Sequence, residues 1–288
     1  MIKHVMFVAG THGNETSGIQ LIRNWQRSGC PYKYSTFELS SMLANEEAIS
    51  RNVRFVDEDL NRQFSLAKLA DPQISLESQL AIDINAKIGP KGESKFDLVV
   101  DIHNTTSQMG GTLILPSSDA FYISMGRFVK QVLPEANILV EDEVAYEAHP
   151  YLCTLGRHGV MIEVGGQPQG LLREDVYQLT TLLAGAIVAF CDAYNEDTLT
   201  NLEPCQAFRF IRNISFPLDD NGQRLAMIHH QLQDNDFVPL LPGQPIFKCF
   251  DGSEITWEGE AEVYPHFINE AAYSKQHVAF ATAESFLL

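Results

Sequence analysis

The residue types that can do chemistry in this chain are gathered in four short runs. The first is Gly10-Thr-His-Gly-Asn-Glu15, where His12 and Glu15 stand three residues apart at the opening of a helical pattern. At that spacing both side chains can reach one metal ion. Zinc takes imidazole nitrogen and carboxylate oxygen, and a catalytic zinc needs three protein ligands with one position left open. The glycines leave room for close approach of backbone and substrate. Taken alone, the pair is weak evidence, and a histidine beside a helix-start glutamate that satisfies backbone donors is the plainer reading.

A third ligand is available in Asp101-Ile-His-Asn-Thr-Thr106, where His103 closes an apolar run from Phe96 to Ile102. Asp101 lies two residues earlier and so on the same side of a strand. It suits a carboxylate hydrogen-bonded to a metal-bound histidine, either His103 or another. A simple strand-terminating turn would look the same. Glu163 interrupts the apolar run Val160-Met-Ile-Glu-Val164, where a carboxylate is costly unless paired or functional. A buried carboxyl beside a metal and its water is what a general base requires; the alternative is a salt bridge to a neighbouring arginine. In Arg54-Phe-Val-Asp-Glu-Asp-Leu-Asn-Arg62, two arginines and Asn61 suit an anionic substrate, because guanidinium matches carboxylate in a two-pronged fork. A solvated charged loop is the plainer reading of that stretch.

These side chains need strand ends and helix starts to hold them, and the apolar pattern supplies both. Strand-like runs at Val5–Ala9, Phe37–Leu43, Phe96–Ile102, Thr112–Leu115 and Val160–Val164 alternate with helical periods at Glu15–Gln26, Leu76–Ile88, Ala120–Val132 and Glu174–Tyr194. The alternation predicts an α/β architecture, a mostly parallel or mixed sheet flanked by helices, and ligands gather beyond the carboxyl ends of such strands. After about Asn201 short β-prone pieces (Phe208–Ile214, Arg224–Ile228, Pro245–Phe250, Ala261–Val263) are broken by turn clusters. The expected organisation is a catalytic α/β domain over residues 1–200 and a smaller β-rich domain over 201–288.

The 288 residues suit one large domain or two unequal ones. A formal charge of −17 makes nucleic acid and anionic membrane surfaces poor partners. Five scattered cysteines, odd in number and without a CxxC pair, point to reduced thiols rather than a disulfide framework or a thiolate zinc site. The N-terminus lacks the apolar length of a signal peptide, and the longest apolar stretch, Leu182–Phe190, is short for a membrane span. A cytoplasmic protein is the expectation.

The set GTHGNE, DLNR, DIHNTT, IEVG followed by QPQG, and YPHFINEAAY runs in this order from Val8 to about Phe280. It resembles the aspartoacylase/aminoacylase-3 family, relatives of succinylglutamate desuccinylase and, more distantly, of the zinc carboxypeptidases. The resemblance implies a carboxypeptidase-like fold and one zinc per chain, held by His12, Glu15 and His103. It implies Glu163 as general base and acid, and Arg54 beside the developing oxyanion. Asn61, Arg62 and Tyr273 would hold a carboxylate of the amino-acid half, with the C-terminal domain closing part of the pocket. The implied reaction is hydrolysis of a small N-acyl-L-amino acid, without organic cofactor, in a homo-oligomer.

Three positions depart from the family. Members acting on N-acetylaspartate place an arginine, a tyrosine and a lysine where this chain has Cys153, His149 and His277. Those groups help hold the second carboxylate of aspartate, so strict aspartate specificity is not expected unless Arg157 or a protonated His149 substitutes. The other readings are a desuccinylase taking a longer acyl group, a carboxypeptidase with a longer groove, and a non-catalytic zinc-stabilised binding protein. An intact Glu163 and Arg54 speak against the last, since structural zinc is usually closed by four protein ligands.

Overall fold

The computed structural model describes residues 1–288. Its elements run β1 (His4–Ala9), α1 (Thr16–Ser28), β2 (Glu38–Leu43), α2 (Glu46–Arg51), α3 (Leu66–Ala70), α4 (Leu76–Ile88), β3 (Leu98–Asn104), β4 (Gly110–Leu115) and α5 (Ala120–Val132). They continue with β5 (Asn137–Val140), β6 (His158–Gly165), α6 (Glu174–Asn195), β7 (Gln206–Ser215), β8 (Ala226–Ile228), β9 (Pro245–Cys249), β10 (Glu254–Thr256), β11 (Tyr264–His266) and β12 (Val278–Leu287). Nine strands form one sheet in the order β2-β1-β3-β6-β4-β5-β7-β12-β11, and β8, β9 and β10 form a second. The large sheet is mixed: β2, β1, β3 and β6 are parallel neighbours, β4 runs against β6, and β12 runs against both β7 and β11.

Strand residues alternate between two buried faces, as expected for a sheet covered on both sides. One face, with Val5, Phe7, Val100, Ile102, Ile162 and Val164, packs with Ile22 and Trp25 of α1, Met125 of α5 and Leu183 and Ile187 of α6. The opposite face, with Met6, Val8, Val99, Met161 and Ile114, packs with Ala81, Ile84 and Ile88 of α4 and with Leu152 and Phe267 from loops. Asp101, His103 and Glu163 share the parity of Val99 and Met161, so they emerge on this second face at the carboxyl ends of parallel strands. Helix α6 has the length and hydropathy to cross a membrane, but half of that stretch is buried against the sheet and its neighbouring helices. All five cysteines are free thiols.

The helices and strands expected over the first 200 residues are present, and α2, α3 and β5 are additions. Beyond Asn201 the assignments diverge. Ala261–Val263 is not a strand; the pairing falls on Tyr264–His266. The strand expected at Phe208–Ile214 is β7, but β12, its partner in the longest pairing there, lies in a stretch read without a strand. β7, β12 and β11 extend the large sheet, while Phe216, Phe247, Trp257 and Phe280 build a separate apolar cluster under β8 and β9.

Candidate active site

The site begins where β1 ends. Gly10 takes φ +70°, a conformation that favours glycine, and turns the chain off the sheet. A Cβ on Gly13 would stand 2.1 Å from the backbone carbon of Ala48, so this glycine lets two backbones pass. The close approach is therefore to α2 rather than to substrate. Glu15 occupies the residue before α1 but its side chain caps no helix donor. Its carboxylate turns inward: Oε1 lies 2.7 Å from His12 Nδ1 and Oε2 lies 2.9 Å from His103 Nδ1. It also accepts from Arg54 at 3.0 Å and from the Asn104 backbone N–H at 3.1 Å.

His12 and His103 bring their Nδ1 atoms within 3.2 Å of each other. That is close to the ligand–ligand edge of a tetrahedral site with metal–nitrogen bonds of about 2.0–2.1 Å. The far nitrogen of each ring is tied to a carboxylate: His12 Nε2 to Asp59 at 2.9 Å and His103 Nε2 to Asp101 at 2.8 Å. With each Nε2 donating to its outer carboxylate, each ring has Nδ1 left for a metal at the shared point, where Glu15 is the third donor. All three inner side chains are about 3% exposed, and their donor atoms lie within 4.8 Å of one another. Glu15, Asp59 and Asp101 against Arg54 leave two negative charges, which, opposed by burial, push the His103 pKa well up in the absence of a cation and which a dication would balance with both imidazoles neutral. Burial opposes ionisation of Glu15, yet the two imidazoles hold its pKa well below the usual carboxylate range. The donor set, the tautomers and the charge all fit zinc.

Sheet register sets Glu163 directly beside His103 on the adjacent parallel strand. The carboxyl forms no ion pair, so the salt-bridge alternative for this residue fails, and it lines the same pocket as His12, Glu15 and His103. Burial raises its pKa well above the ordinary value; Glu15 and Glu270 push the same way, against His103 and Arg54. The 54–62 loop is a built structure rather than a solvated one. Glu77 on α4, fully buried, accepts the backbone N–H groups of Val56, Asp57 and Glu58 at 2.7–3.2 Å and fixes the loop from behind. Arg54, with 17% of its side chain exposed, bridges Glu15 and Asp59. Arg62 lines the pocket with no carboxylate partner; its guanidinium lies 5.3 Å from the Tyr151 ring centre and bonds only to the Asn61 carbonyl. Asn61 spends its oxygen on the Leu152 backbone N–H at 2.8 Å, and its amide nitrogen lies 3.5 Å from His103 Nε2 at the pocket wall. Tyr273 comes in from the segment before β12 to complete the wall.

Sequence patterns passed over several members of this site. Asp59 opens the DLNR motif but ends the acidic run Asp57-Glu58-Asp59, and the sequence gives it no role of its own. Glu270, inside the YPHFINEAAY motif, accepts from Thr106 N and Thr106 Oγ1 at 2.7 and 2.8 Å and clamps the loop after His103. Glu141 and Tyr151 line the pocket from outside any motif. The proposed substitutes for the missing cations fail on location. Arg157 precedes β6, at the opposite end of the strand from the site, where it is 69% exposed and pairs with Asp97. His149 stacks on Tyr151 away from the pocket, and burial lowers its pKa, so it stays uncharged. Neither Cys153 nor His277 lines the pocket.

Comparison with known proteins accords with this geometry. The succinylglutamate desuccinylase/aspartoacylase catalytic domain matches residues 1–190, and the AstE/AspA barrel-sandwich hybrid domain matches residues 203–285. The chain belongs to the succinylglutamate desuccinylase/aspartoacylase family. Within that family it is 37% identical over 290 residues to an N-acyl-aromatic-L-amino acid amidohydrolase (carboxylate-forming) of Xenopus laevis, covering 98% of this chain and 94% of the relative. It is equally 37% identical to an aspartoacylase of Xenopus tropicalis, over 100% of this chain and 94% of that protein. The crystal structure of murine aminoacylase 3 superposes with a TM-score of 0.92 at 33% identity, covering 100% of this chain and 96% of that one. A succinylglutamate desuccinylase from Vibrio parahaemolyticus, at 15% identity and a TM-score of 0.65, shares the fold.

Proposed function

We propose that this chain hydrolyses the amide bond of small N-acyl-L-amino acids, with a zinc ion held by His12, Glu15 and His103. The observation that carries the reading is a carboxylate-backed His/Glu/His cluster beside an unpaired carboxyl, Glu163, and an unpaired guanidinium, Arg62. Zinc there supplies Lewis acidity and brings the pKa of water toward about 7. Glu163 takes the proton from the attacking water and returns it to the leaving amine; its upward-shifted pKa suits a group that must both accept and release a proton near neutrality. Arg54 keeps N–H donors beyond those used by Glu15 and Asp59, and these face the developing oxyanion. Arg62 receives the α-carboxylate, with Asn61 Nδ2 and Tyr273 on the same wall.

A cavity of about 50 Å³ at the cluster has room for a few waters beside the proposed metal. The unpaired Glu163 would be a burden on a purely structural metal site, since an unpaired buried carboxyl costs stability. The test is release of free amine from a panel of N-acetyl amino acids by the zinc-loaded protein. Turnover of neutral or aromatic members is expected. A folded, zinc-loaded protein inert toward the whole panel overturns the reading.

A further inference from the structure

The small catalytic cavity adjoins a second, of about 490 Å³, across a shared wall that includes Arg62, Glu141, Tyr151 and Tyr273. An N-acyl amino acid carries its amide, its α-carboxylate and its side chain on one carbon. With the amide at the His/Glu/His cluster and the carboxylate on Arg62, the side chain starts at that wall, and the larger space lies beyond it.

Charge gives that space its character. Its lining holds three acidic side chains, Asp59, Glu141 and Glu143, and a single arginine, Arg62. Asp59 is already paired with Arg54 at 3.1 Å, and in the proposed complex Arg62 is taken by the α-carboxylate. His266, also in the lining, stays uncharged, because burial pushes its pKa down to about 4. Glu141 is different. Its carboxyl has one partner in the protein, the Tyr151 hydroxyl at 3.1 Å, and no cation. The Glu141 carboxylate, then burial, pushes the Tyr151 phenol well above its ordinary range, and burial with Glu141 does the same to Tyr273. The charged end of Glu141 therefore stands at the shared wall, close to both phenols. Burial and Glu143 push its own pKa up to about 7, with the Tyr151 hydroxyl and Arg62 pulling the other way. The protein under-compensates this carboxylate, and a cation beside it would favour the charged form.

The other walls suit the rest of such a ligand. Phe210, Val278 and Ala281 offer apolar surface to a methylene stem. The Tyr151 ring already carries the Arg62 guanidinium 5.3 Å from its centre, an arrangement in which an aromatic ring favours a cation.

We propose that the second cavity receives a long side chain ending in a cation, an ammonium or a guanidinium, with Glu141 as its counter-charge and Glu143 at the exposed rim. The favoured substrates are then Nα-acyl derivatives of basic amino acids. The inference rests on the proposed hydrolysis and names the side chain that the reaction selects.

The experiment compares kcat/KM for Nα-acetyllysine and N-acetylnorleucine, which share a straight methylene chain and differ in the ammonium, in the zinc-loaded wild type, Glu141→Gln and Glu141→Asp. The wild-type lysine-to-norleucine ratio is expected to be about tenfold or more, the worth of one charge-assisted hydrogen bond. It should fall about tenfold in Glu141→Gln, which keeps the shape and loses the charge. Glu141→Asp, with the charge on a shorter stem, should keep part of the preference. No turnover of any N-acetyl amino acid overturns both readings. Turnover of N-acetylnorleucine by the wild type with a ratio within about twofold of one, or below it, overturns this inference alone. So does a ratio unmoved by Glu141→Gln.

Discussion

Asp101→Asn isolates what the outer carboxylates contribute. Asp101 is fully buried; its Oδ2 accepts from His103 Nε2 at 2.8 Å and its Oδ1 accepts from the Thr11 hydroxyl at 2.7 Å. Asparagine has the same shape and can still accept from His103, while its amide nitrogen faces Thr11, whose hydroxyl can turn to accept. The packing and both contacts survive; the charge is lost. Exchanging a charge-assisted bond for a neutral one costs about 1 kcal/mol, which lowers Tm by about 2–4 °C in a chain of this size. The larger effect falls on the metal, because a less basic imidazole binds it less well: zinc affinity should drop about 10- to 100-fold. Asp101→Ala would instead strand two buried donors, at about 1–3 kcal/mol each, and should be far less stable. The assay is zinc competition against a chromophoric chelator, with a calorimetric melt of the same samples. A zinc Kd within about twofold of wild type, in a protein that melts normally, would show that Asp101 does not act through His103.

Glu163→Gln should keep its zinc and its melting temperature and lose at least about 100-fold in kcat, because an amide of the same shape cannot take the proton; kcat within about threefold of wild type places the base elsewhere. Lys91 is buried, and its ammonium reaches the carbonyls of Phe64 and His149 and the Thr154 hydroxyl at 2.6–2.8 Å, tying the Arg62 segment to the Tyr151 loop. Lys91→Met should cost about 3 kcal/mol and lower Tm by about 6–12 °C, with an unchanged melt refuting that role. Glu141 is pushed up to about 7 by burial and by Glu143, so it is neutral at pH 6 and charged at pH 8. The kcat/KM ratio of N-acetylaspartate to N-acetylphenylalanine should therefore fall about tenfold as pH rises across that interval; a flat ratio assigns the selectivity to another group.

That last prediction also shows where sequence reading reached its limit. A preference for aspartate that strengthens at low pH follows from the sequence through protonation of His149, but His149 lies outside the pocket lining. The same direction arises from Glu141, which reaches the site from the loop after β5, a four-residue strand without a clear pattern. By contrast, His12, Glu15, His103 and Glu163 were legible because strand ends in a parallel sheet converge. Alternating apolar runs fix which residues end each strand, and register does the rest. Asp59 stands inside the DLNR motif, but its bond to His12 forms only after distant segments meet, so the motif does not state its role. β12 escaped for a different reason. Its buried positions are mostly small, Ala279, Ala281 and Ala283, interleaved with Thr282 and Glu284, and only pairing between β7 and β11 buries them. β11 contains Pro265, which is tolerated because the strand lies at the edge of the sheet.

The most direct test is the joint titration of zinc and activity. The protein is stripped with a chelator, reconstituted stepwise with Zn²⁺, and assayed at each step for bound metal and for amine released from N-acetylphenylalanine. Turnover should vanish with the metal and return in proportion to zinc bound, saturating at one ion per chain, while His103→Ala neither holds the ion nor recovers activity. Full turnover by the stripped protein, or an undiminished zinc content in His103→Ala, would contradict the account.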